Sequence, residues 1–271
     1  MDSETADRID VDWTAEAELF YHLLRRKPLS TRKQPQQRKS LADIVNIKTQ
    51  IEPRSRNQSA YLESIFNNTF TFGVGLAGTG KTLLATWAAA LELLDPKSKI
   101  NRIVVVRPVI GNKFGENFGA LPGTLMEKMM PYGSSVIDNL SAFMDKESIN
   151  YLIEKEYIEF IPLTLLRGRS LNNAFVIVEE AQNIKASSKG VYMVMSRLGP
   201  HAKMVFNGDL AQSDLGVEES ALDHAIQVLS DPPMKGCEII KLNEKEDVQR
   251  NPMLYELMVR FGEADENPFS R

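Results

Sequence analysis

A single cysteine, no membrane-length apolar run and no excess of positive charge remove several functions from this 271-residue chain. The lone Cys237 cannot make an intramolecular disulfide or a cysteine-rich zinc site, and it is compatible with a reducing compartment. The most apolar helical stretch, Leu83–Leu94, is too short to span a bilayer and carries Glu92. The first residues, Met1 to Asp7, are acidic and lack the apolar core of a signal peptide, so the cytoplasm is the expected compartment and no membrane role is expected. With 32 Lys and Arg against 36 Asp and Glu, the net charge of −4 does not suit a protein that coats duplex nucleic acid by bulk attraction. Any nucleic-acid role must therefore use a local basic patch. There is no internal repeat. The remainder, 43% hydrophobic and 25% charged, is ordinary for a globular protein, and the length allows one α/β domain with appendages or two small domains.

The most informative stretch is Gly75-Leu76-Ala77-Gly78-Thr79-Gly80-Lys81-Thr82. Its spacing is that of a phosphate-binding loop, in which glycines let successive N–H groups converge on an anion. Lys81 would reach the β- and γ-phosphates, and the Thr82 hydroxyl would be a ligand of Mg²⁺. Context supports this. Thr69–Val74 is aromatic and β-prone, and Leu83–Leu94 has strong helix propensity up to Asp95-Pro96. The loop therefore leads into a helix N-terminus, where unpaired N–H groups favour negative charge.

Upstream, residues 1–24 read as an acidic entry with a short amphipathic helix, and a basic, proline-interrupted linker covers about 25–40. That tract is either a solvated linker or a tether to nucleic acid. A helix from about Pro53 to Phe66 carries Gln58, whose amide presents a donor and an acceptor suited to the N6 and N7 edge of adenine. Arg102–Val106 and Ala174–Val178 are continuous apolar runs, as buried parallel strands are. The first leads through Arg107-Pro108 into a glycine-rich loop, Gly111 to Gly123, at the strand end where open α/β sheets bind ligands. Helices are expected around Leu125–Met130, Ser135–Met144 and Glu147–Ile153, with a short strand at Tyr157–Ile161.

The second apolar strand ends in Glu179-Glu180. Carboxylates there suit Mg²⁺ binding by the first, Glu179, and polarisation of an attacking water by the second, Glu180. A helix over about Ala186–Leu198 should lead to a strand at Lys203–Phe206, whose polar end brings Gln212 within reach of a γ-phosphate or the lytic water. A helix near Glu218–Leu229, a strand near Cys237–Lys241 and a helix from about Pro252 to Phe261 complete the pattern.

Taken together, these residues resemble the PhoH-like ATPases, which are similar to one catalytic domain of superfamily 1 helicases. The likeness runs from about Pro53 to Phe261. It is carried by Arg56-Asn57-Gln58, Gly75 to Thr82, Arg107-Pro108, Gly119 to Gly123, Arg167 to Asn173, Gly208 to Gln212 and Asp247 to Pro252. The resemblance implies an α/β, RecA-like P-loop NTPase sandwich of three layers. Its mostly parallel sheet should place the sensor strand between the loop strand and the acidic strand. It implies a domain at 53–262, an N-terminal extension at 1–52 and a tail at 263–271. It implies ATP and Mg²⁺, Gln58 reading adenine and Gln212 sensing the γ-phosphate. The short form with its own N-terminal extension resembles versions in phage genomes. One departure stands out: the family usually has Asp-Glu where this chain has Glu179-Glu180. An extra methylene moves the first carboxylate by roughly 1.5 Å, and Mg²⁺ tolerates little distortion. Either a water absorbs the difference or hydrolysis slows.

Superfamily 1 helicases place the nucleotide between two such domains, the second supplying an arginine worth about 10³ to 10⁵ in rate. A homo-oligomeric ring, hexameric by preference, would supply that arginine from a neighbour. Arg250, Arg197, Arg167 and Arg169 are the candidates in that order. The expected function is an ATPase coupled to RNA or single-stranded DNA through Arg107, Lys113, Arg167 and Arg169. The alternatives are a nucleotide-dependent switch or assembly protein, or a small-molecule kinase.

Overall fold

Strands buried on both faces give this molecule its frame. The structure, a computed structural model, describes residues 40–108, 125–186, 190–214, 220–251 and 253–264, with backbone alone for 125–132. The expected N-terminal helix, the basic tract of 25–39, the glycine-rich loop with Lys113 and the tail beyond residue 264 lie outside the described residues.

Six strands form one sheet: β1 (Phe70–Gly75), β2 (Arg102–Arg107), β3 (Ile158–Pro162), β4 (Ala174–Val178), β5 (Lys203–Gly208) and β6 (Cys237–Leu242). Their order is β3-β2-β4-β5-β1-β6, and all five pairings are parallel. The sensor strand β5 thus lies between the acidic strand β4 and the loop strand β1, as expected. Successive residues of β2 serve opposite faces: Ile103 and Val105 enter one core, Val104 and Val106 the other. That is why the strand reads as an unbroken apolar run instead of an alternating one.

On the first face pack α1 (Arg56–Asn67), α2 (Lys81–Leu94), α3 (Leu125–Ser141) and α4 (Lys146–Glu154). Ala88, Ala89 and Ala90 of α2 are buried and let it approach the sheet closely, while Trp87 meets Phe143 edge-on at 5.0 Å. On the other face lie α5 (Gly190–Met195) and α6 (Ala221–Ser230), over a core that includes Phe72 stacked on Phe206 at 4.5 Å. The short α7 (Leu254–Arg260) follows the last strand.

Four helices differ from the sequence reading, the first being α1, which starts at Arg56 behind its Ser55 cap and not at Pro53. The pieces expected at 125–130 and 135–144 are one helix, α3, continuous through Pro131 and Gly133. Gly133 faces Phe160 of β3, where a Cβ would stand 2.4 Å from the ring, so close packing on the sheet outweighs weak local propensity. The helix expected over 186–198 is described over Gly190–Met195 and ends short of Leu198. The one expected from Glu218 is described from Ala221, where the Ser220 hydroxyl accepts from Leu222 N–H as its cap.

Candidate functional site

The phosphate loop forms because β1 ends in backbone conformations that only glycine enters easily. Gly75 has φ +156°, and a Cβ there would stand 2.2 Å from the Leu242 carbonyl oxygen of β6. Gly78 has φ +75° and lies against Leu254 and Arg250. The loop ends at Gly80, which begins α2 without a side-chain cap, so the helix presents open N–H groups. Thr79 is fully buried and its hydroxyl donates to Leu76 O at 2.9 Å, bracing the loop from within.

Two distant segments staple this loop from outside. Ser55 caps α1 and also donates to Asp247 Oδ1 at 2.5 Å, while Asn57 Nδ2 donates to Asp247 Oδ2 at 2.9 Å. Asp247 is fully buried, and two residues on, Gln249 N–H donates to Gly78 O at 2.9 Å. Gln58 Nε2 donates to Thr79 O at 3.0 Å, and its Oε1 accepts from Arg54 N–H at 2.7 Å. The amide expected to face adenine is therefore engaged on both sides by protein, and its observed work is to brace the loop.

The loop, β4 and β5 converge on a cavity of about 240 Å³. Lys81 lines it, with Nζ donating to Gly75 O at 2.8 Å, Leu76 O at 2.7 Å and Thr79 Oγ1 at 3.1 Å. Desolvation pulls the Lys81 ammonium below its ordinary pKa, opposed by Asp209, Glu179 and Glu180. The Thr82 hydroxyl donates to Glu179 Oε2 at 2.8 Å, and Glu179 Oε1 accepts from Asn207 Nδ2 at 2.7 Å. Burial raises the Glu179 carboxyl above the usual range, although both hydrogen bonds favour its charged form.

Glu180 follows in a left-handed conformation, φ +53°, uncommon for a residue other than glycine. Its Oε1 lies 3.4 Å from Arg107 and its Oε2 accepts from Gln182 Nε2 at 2.7 Å. Gln212 and Arg250 also line the cavity. Arg250 thus lines the cavity of its own chain, whereas the sequence reading ranked it first among arginines a neighbour could supply. A second cavity, about 290 Å³, shares Gly78, Gly80, Leu83 and Arg250 and adds Glu52, Arg54 and Gln58.

A hydroxyl and a carboxylate in contact beside a phosphate loop suit a hard divalent cation, since Mg²⁺ takes oxygen ligands and few protein ones. The residues present fit that ion: Thr82 and Glu179 would hold it.

The remaining arginines stand elsewhere. Arg169 and Arg102 both pair with Glu159, at 3.0 and 3.2 Å, towards the amino ends of β2 and β3. Arg197 reaches Ser196 Oγ at 3.1 Å beside the start of β4, where its own carbonyl accepts from Leu171 N–H. Arg107, at the end of β2, pairs with Glu180 at 3.4 Å. Arg167 is exposed.

The sequence reading missed Asp209, Asn207, Tyr61 and Asp247. Asp209 is buried in the same cavity, its carboxyl raised by burial and pulled back by Lys81. Its place in Gly208 to Gln212 was the one signal available. Among the described residues no helix is long and apolar enough to cross a membrane.

Residues 50–261 match the family described as PhoH-like protein. A PhoH-like protein of Mycobacterium tuberculosis is 40% identical over 217 residues, covering 80% of this chain and 59% of the relative. One from Synechocystis is 36% identical over 244 residues, covering 88% and 71%. This chain thus spans about three fifths of the mycobacterial relative's length. Among solved structures, the large terminase of a thermophilic bacteriophage has a TM-score of 0.45 at 15% identity, covering 77% of this chain and 50% of that one. The Pif1 helicase of Candida albicans has a TM-score of 0.33 at 17% identity, covering 72% and 41%.

Proposed function

The chain belongs to the PhoH-like family, and on that premise we propose that it binds ATP with Mg²⁺ and hydrolyses it to ADP and phosphate. The observation that supports this most is the meeting of Lys81, Thr82, Glu179 and Glu180 at one cavity, with Thr82 already bonded to Glu179 at 2.8 Å. The loop N–H groups and Lys81 hold the phosphates, Lys81 exchanging carbonyl partners for phosphate oxygens. Mg²⁺, when bound, offsets charge on the phosphates. Glu180 accepts a proton from the attacking water, Gln212 orients that water or the γ-phosphate, and Arg250 faces the same charge from its own chain. The base and ribose take the second cavity, flanked by Leu83 and Arg54, and Gln58 reads adenine with its remaining Oε1 lone pair.

The oligomeric ring, hexameric by preference, and the coupling to RNA or single-stranded DNA belong to this proposal as well. With Arg250 in its own site, a neighbour's arginine would come from Arg197, Arg167 or Arg169. Of the described basic candidates, the exposed Arg167 suits a nucleic-acid backbone best. ATP turnover measured with and without RNA and single-stranded DNA, on a sample sized by light scattering, tests all of this. Stimulation supports a motor. A monomer that turns over quickly removes the ring, and absence of turnover removes the enzyme.

A second reading has its own support. Glu180 is tied to Arg107 and Gln182, and Glu179 is longer than the family's usual Asp. Both favour a nucleotide-dependent switch with slow hydrolysis, which the same assay would show as tight binding without stimulated turnover.

A further inference from the structure

Behind Glu179 runs a chain of side chains contributed by three different elements. Tyr61 of α1 is fully buried and its hydroxyl donates to Asn207 Oδ1 at the end of β5. Asn207 Nδ2 donates to Glu179 Oε1, and Thr82 donates to the other oxygen of the same carboxylate. The direction of this chain is fixed by chemistry. A carboxylate only accepts, so Asn207 must turn its NH₂ towards Glu179 and leave its oxygen to Tyr61, which must donate. A flipped amide would set two acceptors against each other. Desolvation by burial, reinforced by Glu179, keeps the Tyr61 phenol protonated and hence a donor.

The ring cannot drift either. A Cβ at Gly73 would stand 2.6 Å from Tyr61 Cε2, so glycine at that point of β1 leaves room for the ring and nothing more. The hydroxyl that reaches the Asn207 oxygen is thereby seated at a fixed height under the site.

We propose that Tyr61 is a positioning residue: acting through Asn207, it holds the Glu179 carboxylate in the orientation that receives the divalent cation of the bound nucleoside triphosphate. This rests on the reading of the cavity as a Mg²⁺-nucleotide site. Groups that orient a metal ligand are worth about 10- to 100-fold in metal affinity where tested.

The test uses the full chain and mant-AMP-PNP, a fluorescent analogue that is not hydrolysed, titrated in EDTA and across a MgCl₂ series. For Tyr61→Phe, affinity in EDTA should stay within about twofold of the parent, while the MgCl₂ concentration for half-maximal gain rises about tenfold. Asn207→Leu should give the same shift or a larger one. In the double variant, Tyr61→Phe should add nothing to Asn207→Leu, because its route to Glu179 is already cut. Equal loss with and without Mg²⁺ would make Tyr61 a packing residue and overturn the proposal. So would an unchanged MgCl₂ midpoint, or additive shifts in the double variant. A parent whose affinity ignores Mg²⁺ would instead overturn the cation site itself, and with it the reading beneath the proposal.

Discussion

At the carboxyl ends of β1, β4 and β5, Glu179 and Asp209 are buried beside the half-buried Lys81, whereas at the amino ends of β2 and β3 Arg102 and Arg169 close on Glu159 in partly exposed pairs. Both ends carry opposite charges within reach of one another, yet the physics differs. The exposed pairs exchange water for a modest attraction and cost little to keep or lose. The buried group sets like charges together: Glu180 adds to the upward pressure on both Glu179 and Asp209. Such an arrangement lowers stability unless something positive arrives to offset it, which is what a functional site does and a structural ion pair does not.

Substitutions at the two ends should therefore separate binding and chemistry from stability. The largest effect is expected from Glu180→Gln. It should cut ATP turnover by about 10² to 10⁴ while nucleotide affinity stays, since the base is removed and the cation ligands remain. A variant that turns over at the parent rate takes Glu180 out of that role. Next is Lys81→Ala, expected to weaken nucleotide binding by at least about a hundredfold, with far-UV circular dichroism unchanged.

Glu179→Gln should act in two opposite directions. The neutral amide can keep partners in Asn207 and Thr82 while shedding the buried charge, so the unliganded protein should melt about 2–4 °C higher even as Mg²⁺-dependent binding weakens. The pH dependence follows. Burial raises the Glu179 pKa in the folded state, so the native protein holds that proton more tightly than the unfolded chain does. Stability must then fall as pH rises from about 4 through the raised value, and Glu179→Gln should flatten that slope, leaving the part due to Asp209. Melting temperatures measured from pH 4 to 8 check the sign. The smallest effect belongs to the opposite end. Arg169→Ala should change unfolding free energy by less than about 1 kcal/mol and leave nucleotide affinity alone. A large loss of affinity there would erase the contrast.

The same contrast explains what could be read in advance. β2 and β4 are continuous apolar runs because both faces are covered, so their positions follow from composition alone. Gly75 to Thr82 and Glu179-Glu180 were legible because their chemistry lies in contiguous residues. Tyr61, Asn207 and Asp247 were not, because each acts across a contact between segments far apart in sequence. Tyr61 looks like an ordinary aromatic of an amphipathic helix until β5 brings Asn207 to its hydroxyl. Arg250 was legible as a candidate but not as a resident of its own cavity, since that depends on the turn after β6 folding back onto Gly78. The continuity of α3 was hidden for the same reason: Gly133 breaks a helix locally and permits one against Phe160.

The pairing of β1 has a consequence for the order in which the chain is made. Both neighbours of the loop strand, β5 and β6, are encoded more than 120 residues after it, and the staples from Asp247 and Gln249 come later still. A ribosome delivers the phosphate loop early, but the walls and staples that shape it are complete only after residue 249. Nascent chains arrested before that point should carry the whole motif and bind no nucleotide, and chains released beyond it should acquire binding in one late step.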